Sequence, residues 1–358
     1  MPDLLGMSAG TAGSIIAVVG IAGLDKFERD LQKMATAVDG KAQFLNKSLT
    51  AVAAAGATVF VSSIAAATEF QSSFTGVTKT VDGLSDNFGN LTAEGQRLAD
   101  QFRALSLEVP VSVNELNKIG ELAGQLGVGK EDILEFTRTI AALGVTTNLT
   151  FEEGSTQIAR FINVTKQVAP AGSQMAEQAE RIGSAVVELG NNMATTEAEI
   201  VTFGLRIAGS GAQIGLTQDQ ILAFGAALSS VGIQAEMGGT AISKLFIDMA
   251  KAVSDGGAQL ERMAKIAGMT IPEFSRLFKE DAAGAINAFF TGLNETQKSG
   301  ESLFPILEEM GYKEVRLRDT ILKTASASDI LSEALGWSSK AYRENTAMAD
   351  EAQKRYST

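Results

Sequence analysis

Apolar residues recur every seven positions along the first part of the chain: Leu24, Leu31, Val38, Leu45, Val52 and Val59, with Phe27 and Met34 at the alternate core position. A seven-residue apolar seam kept up over this distance predicts a coiled coil or long paired helices, because it holds one stripe facing a partner helix. The seam is imperfect. Lys41 and Ser48 fall on core positions, Gly40 and Gly56 weaken the helix, and a single amphipathic helix packed on a domain would use only part of it. The pattern favours helix association, with a second copy of the chain as the partner.

Further along, the pattern changes to short helices, and a stretch of it occurs twice. Ser112-x-x-Glu115-Leu116 matches Thr196-x-x-Glu199-Ile200 at an offset of 84, and Gly120 matches Gly204. Four extra residues follow in the second copy. Gly127, Ile133, Leu134, Phe136 and Gly144 then match Gly215, Ile221, Leu222, Phe224 and Gly232 at an offset of 88, and Thr156-x-Ile158 returns to 84 at Thr240-x-Ile242. So many matches on two related offsets indicate an internal duplication.

Each copy reads as a helical hairpin or three-helix module. Ser112-x-x-Glu115 and Thr196-x-x-Glu199 are capping boxes, in which hydroxyl and carboxylate satisfy the free amides of a helix start. The helix they open stops at a glycine pair. A second helix opens near Lys130 or Thr217, carries Ile-Leu-x-Phe inward and is expected to end at Gly144 or Gly232. A third follows, opened in the first copy by Thr150-x-x-Glu153. Gly127, Ile133, Phe136 and Gly144, with Gly215, Ile221, Phe224 and Gly232, are thus the expected core anchors and breaks. Beyond the second copy, Met269, Phe274 and Phe278 are spaced for a helical core face, with another start at Thr270-x-x-Glu273. Residues 314–358 read as two polar-faced helices around Leu317, Ile321, Leu331 and Leu335. The predicted fold class is all-α: long N-terminal heptad-patterned helices, then duplicated short helical modules. The divisions are 1–80 (apolar, coiled-coil-like), 81–170 (first module), 171–255 (second module) and 256–358 (C-terminal helical region).

Composition narrows the chemistry. The 358 residues include no Cys and no His, which removes disulfides, thiolate nucleophiles, the commonest metal ligand and the commonest general base together. No catalytic, cofactor or metal residues are expected, and an enzyme has no constellation to stand on. Carboxylate pairs such as Glu152/Glu153 and Glu308/Glu309 fit helix-start charges or solvated faces better than acid/base dyads. Thirty basic against 42 acidic residues give a net charge of −12. With no Lys/Arg cluster, sequence-specific or bulk nucleic-acid binding is not expected.

Two features point elsewhere. "GQLGVGKE", residues 124–131, spells a phosphate loop except at Glu131, where the magnesium-binding hydroxyl should stand. No strand precedes it, and the second copy reads Gln218 where the first has Lys130, so the nucleotide reading fails and Lys130 looks incidental. The windows Leu4–Leu24 and Ser48–Thr68 are uncharged and 21 residues long, about a bilayer's span. They are rich in Ala, Gly, Ser and Thr, which suits helices buried against helices or marginal membrane insertion.

Laid in order, these blocks resemble the phage tail tape measure protein family. The resemblance rests on "AAATEFQSSF", "LEVPVSVNELNKIGELAGQLGV", "ILEFTRTIAALGVTTNLTFEEGSTQIARF", "ILAFGAALSSVGIQAEMGGTAISKLF" and "LERMAKIAGMTIPEFSRLFKEDAAGAINAFFTGL", over roughly residues 50–340. It implies a structural virion protein lying as helices in several copies inside the tail tube, setting tail length and scaffolding tube assembly, then ejected on infection. The implied partners are copies of itself, the tail tube protein, tail tip or baseplate hub proteins, a tail assembly chaperone and the host membrane. The implied locations are the tail lumen, the host cytoplasm during assembly and the host envelope on infection. Family members are usually much longer than this chain.

Overall fold

The computed structural model describes residues 69–356. The chain divides into Met1–Ser72 and Ser73–Thr358, and the architecture that follows is that of the second unit. The seam positions Leu24, Leu31, Val38, Leu45, Val52 and Val59 lie outside the described residues, as do both uncharged windows.

The fold is all-α. A helical stretch ends at residue 80, and a loop leads into α1 (Ala93–Glu108). The first copy supplies α2 (Val113–Gln125), α3 (Ile133–Thr146) and α4 (Phe151–Thr165). After α5 (Met175–Asn192), the second copy supplies α6 (Glu197–Gln213), α7 (Gln218–Ser230) and α8 (Ala235–Asp255). Then come α9 (Ala258–Ile266), α10 (Ile271–Glu280), α11 (Ala282–Lys298), α12 (Leu303–Glu309) and α13 (Val315–Ser326). Two last helices, α14 (Ser328–Glu344) and α15 (Ala347–Tyr356), make residues 314–356 a three-helix stretch, where the sequence pattern suggested two. No strand occurs among the described residues; Ser85 and Leu91 form an isolated antiparallel bridge.

The helix starts follow from local chemistry. Ser112, Thr150, Thr196 and Thr270 all form capping boxes with the Glu three residues on. At the first, the Glu115 amide donates to Ser112 Oγ at 3.3 Å and the Ser112 amide to Glu115 Oε2 at 3.1 Å. Such bonds hold the carboxyls of Glu153, Glu199 and Glu273 below the usual range. The hydroxyl is the larger influence at Glu153 and Glu273, the backbone amide at Glu199.

Packing arranges the helices in rows. The even members α2, α4, α6 and α8 lie side by side, and α3, α5 and α7 form a second row beneath them. α8 also packs on α13, which packs on α11, and α11 in turn on α10. α14 then returns across α7 and α5, and α15 across α5 and α3. One helix is therefore enclosed on both faces. In α7, Gln218, Asp219 and every position from Ile221 through Leu228 are buried, the pattern of a helix with no solvent side.

That enclosure needs close approach. A methyl on Gly225 of α7 would stand 2.8 Å from the Ile200 carbonyl oxygen and 3.0 Å from the Gly204 amide nitrogen, both backbone atoms of α6. Only glycine lets these helices touch so closely. Gly144, expected as a break, lies instead within α3, which runs on to Thr146. Its missing side chain leaves room for the Phe151 ring, which comes within 2.3 Å of where a Cβ would stand. Its counterpart Gly232 does end its helix, with φ 74°. The duplicated pattern marks the position in both copies, but packing decides whether the helix stops there.

Gly225→Ala is expected to cost on the order of 2–3 kcal/mol in urea unfolding, because two backbones must separate. Gly209→Ala, on the exposed side of α6 with nothing within 4 Å of the new methyl, is expected to be neutral or to stabilise by up to ~1 kcal/mol. Equal effects would contradict the enclosed-helix account.

Candidate functional site

The stretch from Gly124 to Glu131 forms a helix end. Gly127 takes φ 88°, and its amide donates to the Gly124 carbonyl at 3.1 Å while the Val128 amide reaches back to Ala123 at 3.0 Å. This is the Schellman closure, in which a left-handed residue lets the following amides satisfy the last carbonyls of the helix. The Leu126 amide is also spent on α2. A phosphate cradle needs such amides free and a strand before them; here the amides are committed and a helix precedes. Glu131 folds over Gly129, its Oε2 within 2.8 Å of where a Cβ would be. Lys130 ion-pairs with Glu94 at 3.1 Å, both side chains being nearly half exposed. The geometry is that of a turn.

The second copy repeats the turn. Gly215 also has φ 88°, with its amide on Ala212 at 3.2 Å and the Leu216 amide on Gly211 at 3.0 Å. The anchors are equivalent too: Ile133, Phe136, Ile221 and Phe224 have no exposed surface, and Phe224 meets Phe246 edge to face at 5.3 Å.

The copies differ where Lys130 becomes Gln218. Gln218 is 1% exposed and stands where α4, α5, α7 and α14 meet. Its Nε2 donates to Thr165 Oγ1 at 2.9 Å and to Gln178 Oε1 at 3.0 Å, and its Oε1 accepts from the Tyr342 hydroxyl. Gln178 Nε2 continues to the Ser173 carbonyl at 3.2 Å, and Thr165 Oγ1 to the Phe161 carbonyl at 2.7 Å. Beside it, Ser338 Oγ donates to the Asp219 carbonyl at 2.8 Å, and the Arg181 guanidinium lies 5.8 Å from the Tyr342 ring centre. Burial pushes the Tyr342 phenol well above its ordinary pKa; Asp219 adds to this and Arg181 opposes it. The phenol is therefore a neutral donor, matched to an amide oxygen. This cluster is a structural node, and sequence reasoning missed it. Gln218 opens an apolar helix in an ordinary helix-start position, and no local pattern pairs it with a tyrosine 124 residues away.

The carboxylate pairs separate into structural roles. Glu153 caps α4, Glu152 lies 4.0 Å from Lys118, and Glu309 pairs with Arg262 at 3.5 Å. Among the described residues no group of three or more Asp or Glu is placed to hold a metal ion, and no helix is long and apolar enough to cross a membrane.

What the described unit offers is a layered array of helices joined by capped turns and a buried amide node. The family of phage-related minor tail proteins matches residues 99–332, from within α1 to within α14. The chain belongs to that family and is a phage tail protein. Searches among curated proteins and among solved structures returned no match.

The two copies should respond unequally to exchange of the residue that distinguishes them. Lys130→Gln removes one exposed ion pair and is expected to change stability by no more than about 0.5 kcal/mol. Gln218→Lys puts an ammonium among Thr165, Gln178 and Tyr342 and is expected to cost about 3 kcal/mol or more in the same urea titration. Similar losses in both would show that Gln218 is not the node.

Proposed function

We propose that this chain is the ruler of its tail, a tape measure protein that sets tail length and scaffolds the tube from within. The observation that carries the reading is the heptad seam from Leu24 to Val59 standing ahead of a helical scaffold in a minor tail protein. A seam of that kind is suited to bundling several copies lengthwise, and length along a helix translates linearly into distance, at about 1.5 Å per residue. On this reading the partners are further copies of the chain, the tail tube protein, tip or baseplate hub proteins and an assembly chaperone. The chain acts as a scaffold and not as an enzyme; it lies in the tail lumen and leaves it on infection.

An in-frame deletion of 21 residues within the seam should shorten the tail by roughly 30 Å, the rise of that much helix, measured on negatively stained particles. Tails of unchanged length with normal assembly would sink the ruler role for this segment.

A second reading is carried by the uncharged windows Leu4–Leu24 and Ser48–Thr68. On this view they enter the host membrane during delivery, which is compatible with a ruler released at infection. The 358-residue chain should then release dye from phospholipid vesicles, and a chain lacking residues 1–68 should not. Intact vesicles at every lipid composition tried would overturn it.

A further inference from the structure

α14 changes partners along its length. Its first half is tied to α11, where Asn294 Nδ2 donates to Ser328 Oγ at 3.1 Å and Asn287 Nδ2 to Ser332 Oγ at 2.7 Å. Its second half is tied to α7 and α5 through Ser338 and Tyr342, and α15 lies over α5 and α3. Gly336 separates the two halves. A Cβ built there meets nothing within 4 Å, and the residue is helical, so neither space nor backbone geometry requires glycine. A glycine inside a helix weakens it at that point, since it has the most freedom to regain.

The surface beyond Gly336 differs in kind from the rest of the core. Its buried residues are Ser338, Ala341, Tyr342, Met348 and Ala352. Hydrogen bonds do much of the joining. Ser338 and Tyr342 bond to Asp219 and Gln218 as described above. Arg181 Nη1 donates to the Tyr342 carbonyl at 3.3 Å, Ser184 Oγ to Asn345 Oδ1 at 3.2 Å, and Asn345 Nδ2 to Glu180 Oε2 at 3.1 Å. Water can replace each of these on opening, so their net worth is small. The side chains that hold α7 in place, Ile221, Leu222, Phe224 and Leu228, have no such substitute in water.

Two details suit a part that seats and unseats as a piece. Met348 sits on Gly183, where a Cβ would come within 2.6 Å of its sulfur, a notch that receives one side chain. Asn345, between α14 and α15, has φ 55° and is the one non-glycine residue with positive φ among those described. Asn tolerates that conformation better than most residues, and here its amide also makes the two bonds to α5.

We propose that residues 337–356 form a strap hinged at Gly336, which opens from α3, α5 and α7 as a unit while the rest of the fold stays closed. Opening bares the Gly183 notch and the Gln218 amide, so the unit has a closed and an open form without unfolding its rows.

Hydrogen exchange followed by mass spectrometry on the full chain tests this. Peptides from 337–356 should exchange at least about tenfold faster than those of α5 and α7, as expected of a separate opening unit, while 328–335 stays with α11. Tyr342→Phe should speed exchange in the strap alone, by about tenfold. Gly336→Ala, which the surrounding space admits, should slow the strap alone by about two- to fivefold, the helix-propensity difference expressed as a rate. If 337–356 exchanges only together with α5 and α7, or if either variant shifts all peptides alike, there is no strap.

Discussion

The structure depends on enclosing α7. A helix covered on both faces has nowhere to put a polar side chain unless a partner awaits it, so every residue of α7 from Ile221 through Leu228 is apolar or glycine. The buried polar residues of α7, Gln218 and Asp219, fall where four helices meet and their groups are matched: amide to amide and hydroxyl, carbonyl to serine hydroxyl. Gly225 brings α6 within backbone contact on one side, and α14 closes the other. The two rows and the returning helices are the arrangement that lets this one segment be dry all round.

Seen this way, the duplication serves two different ends. Both copies keep the capping box, the Schellman turn and the Ile–Phe anchor, because each solves a problem internal to the hairpin: ending one helix, starting the next and filling the space between them. The positions that diverge are those that meet the rest of the fold. Lys130 faces solvent and Glu94; Gln218 faces three other helices. Gly144 makes room for Phe151 inside a continuing helix, while Gly232 ends one. One local design therefore holds two places, and the context of each place chose the side chain at the boundary.

For a tail protein this division of labour has a physical logic. A scaffold must hold its shape with contacts spread over many helices, and the capped ends and apolar rows provide that. The joints made of amides, hydroxyls and small residues are where shape can change, since water competes for those bonds on nearly equal terms. Apolar rows with a hydrogen-bonded pair of helices laid across them combine both properties in one chain.

Much of this could be read from the residues in order. Helical class, the capping boxes at Ser112, Thr150, Thr196 and Thr270, the turns at Gly127 and Gly215 and the buried Ile and Phe anchors all follow from interactions within a few positions of one another, so local spacing suffices to reveal them. The same holds for the rejection of "GQLGVGKE" as a phosphate loop, since its repeat partner already lacked the lysine. Contacts between distant segments were beyond that reach. The burial of Gln218 against Tyr342, the continuation of α3 through Gly144 and the return of α14 over the second row each depend on which helices become neighbours. Sequence determined the helices and their ends, because those are made by near neighbours; tertiary structure decided which polar residues would be sealed inside, because burial is a property of the whole packed array.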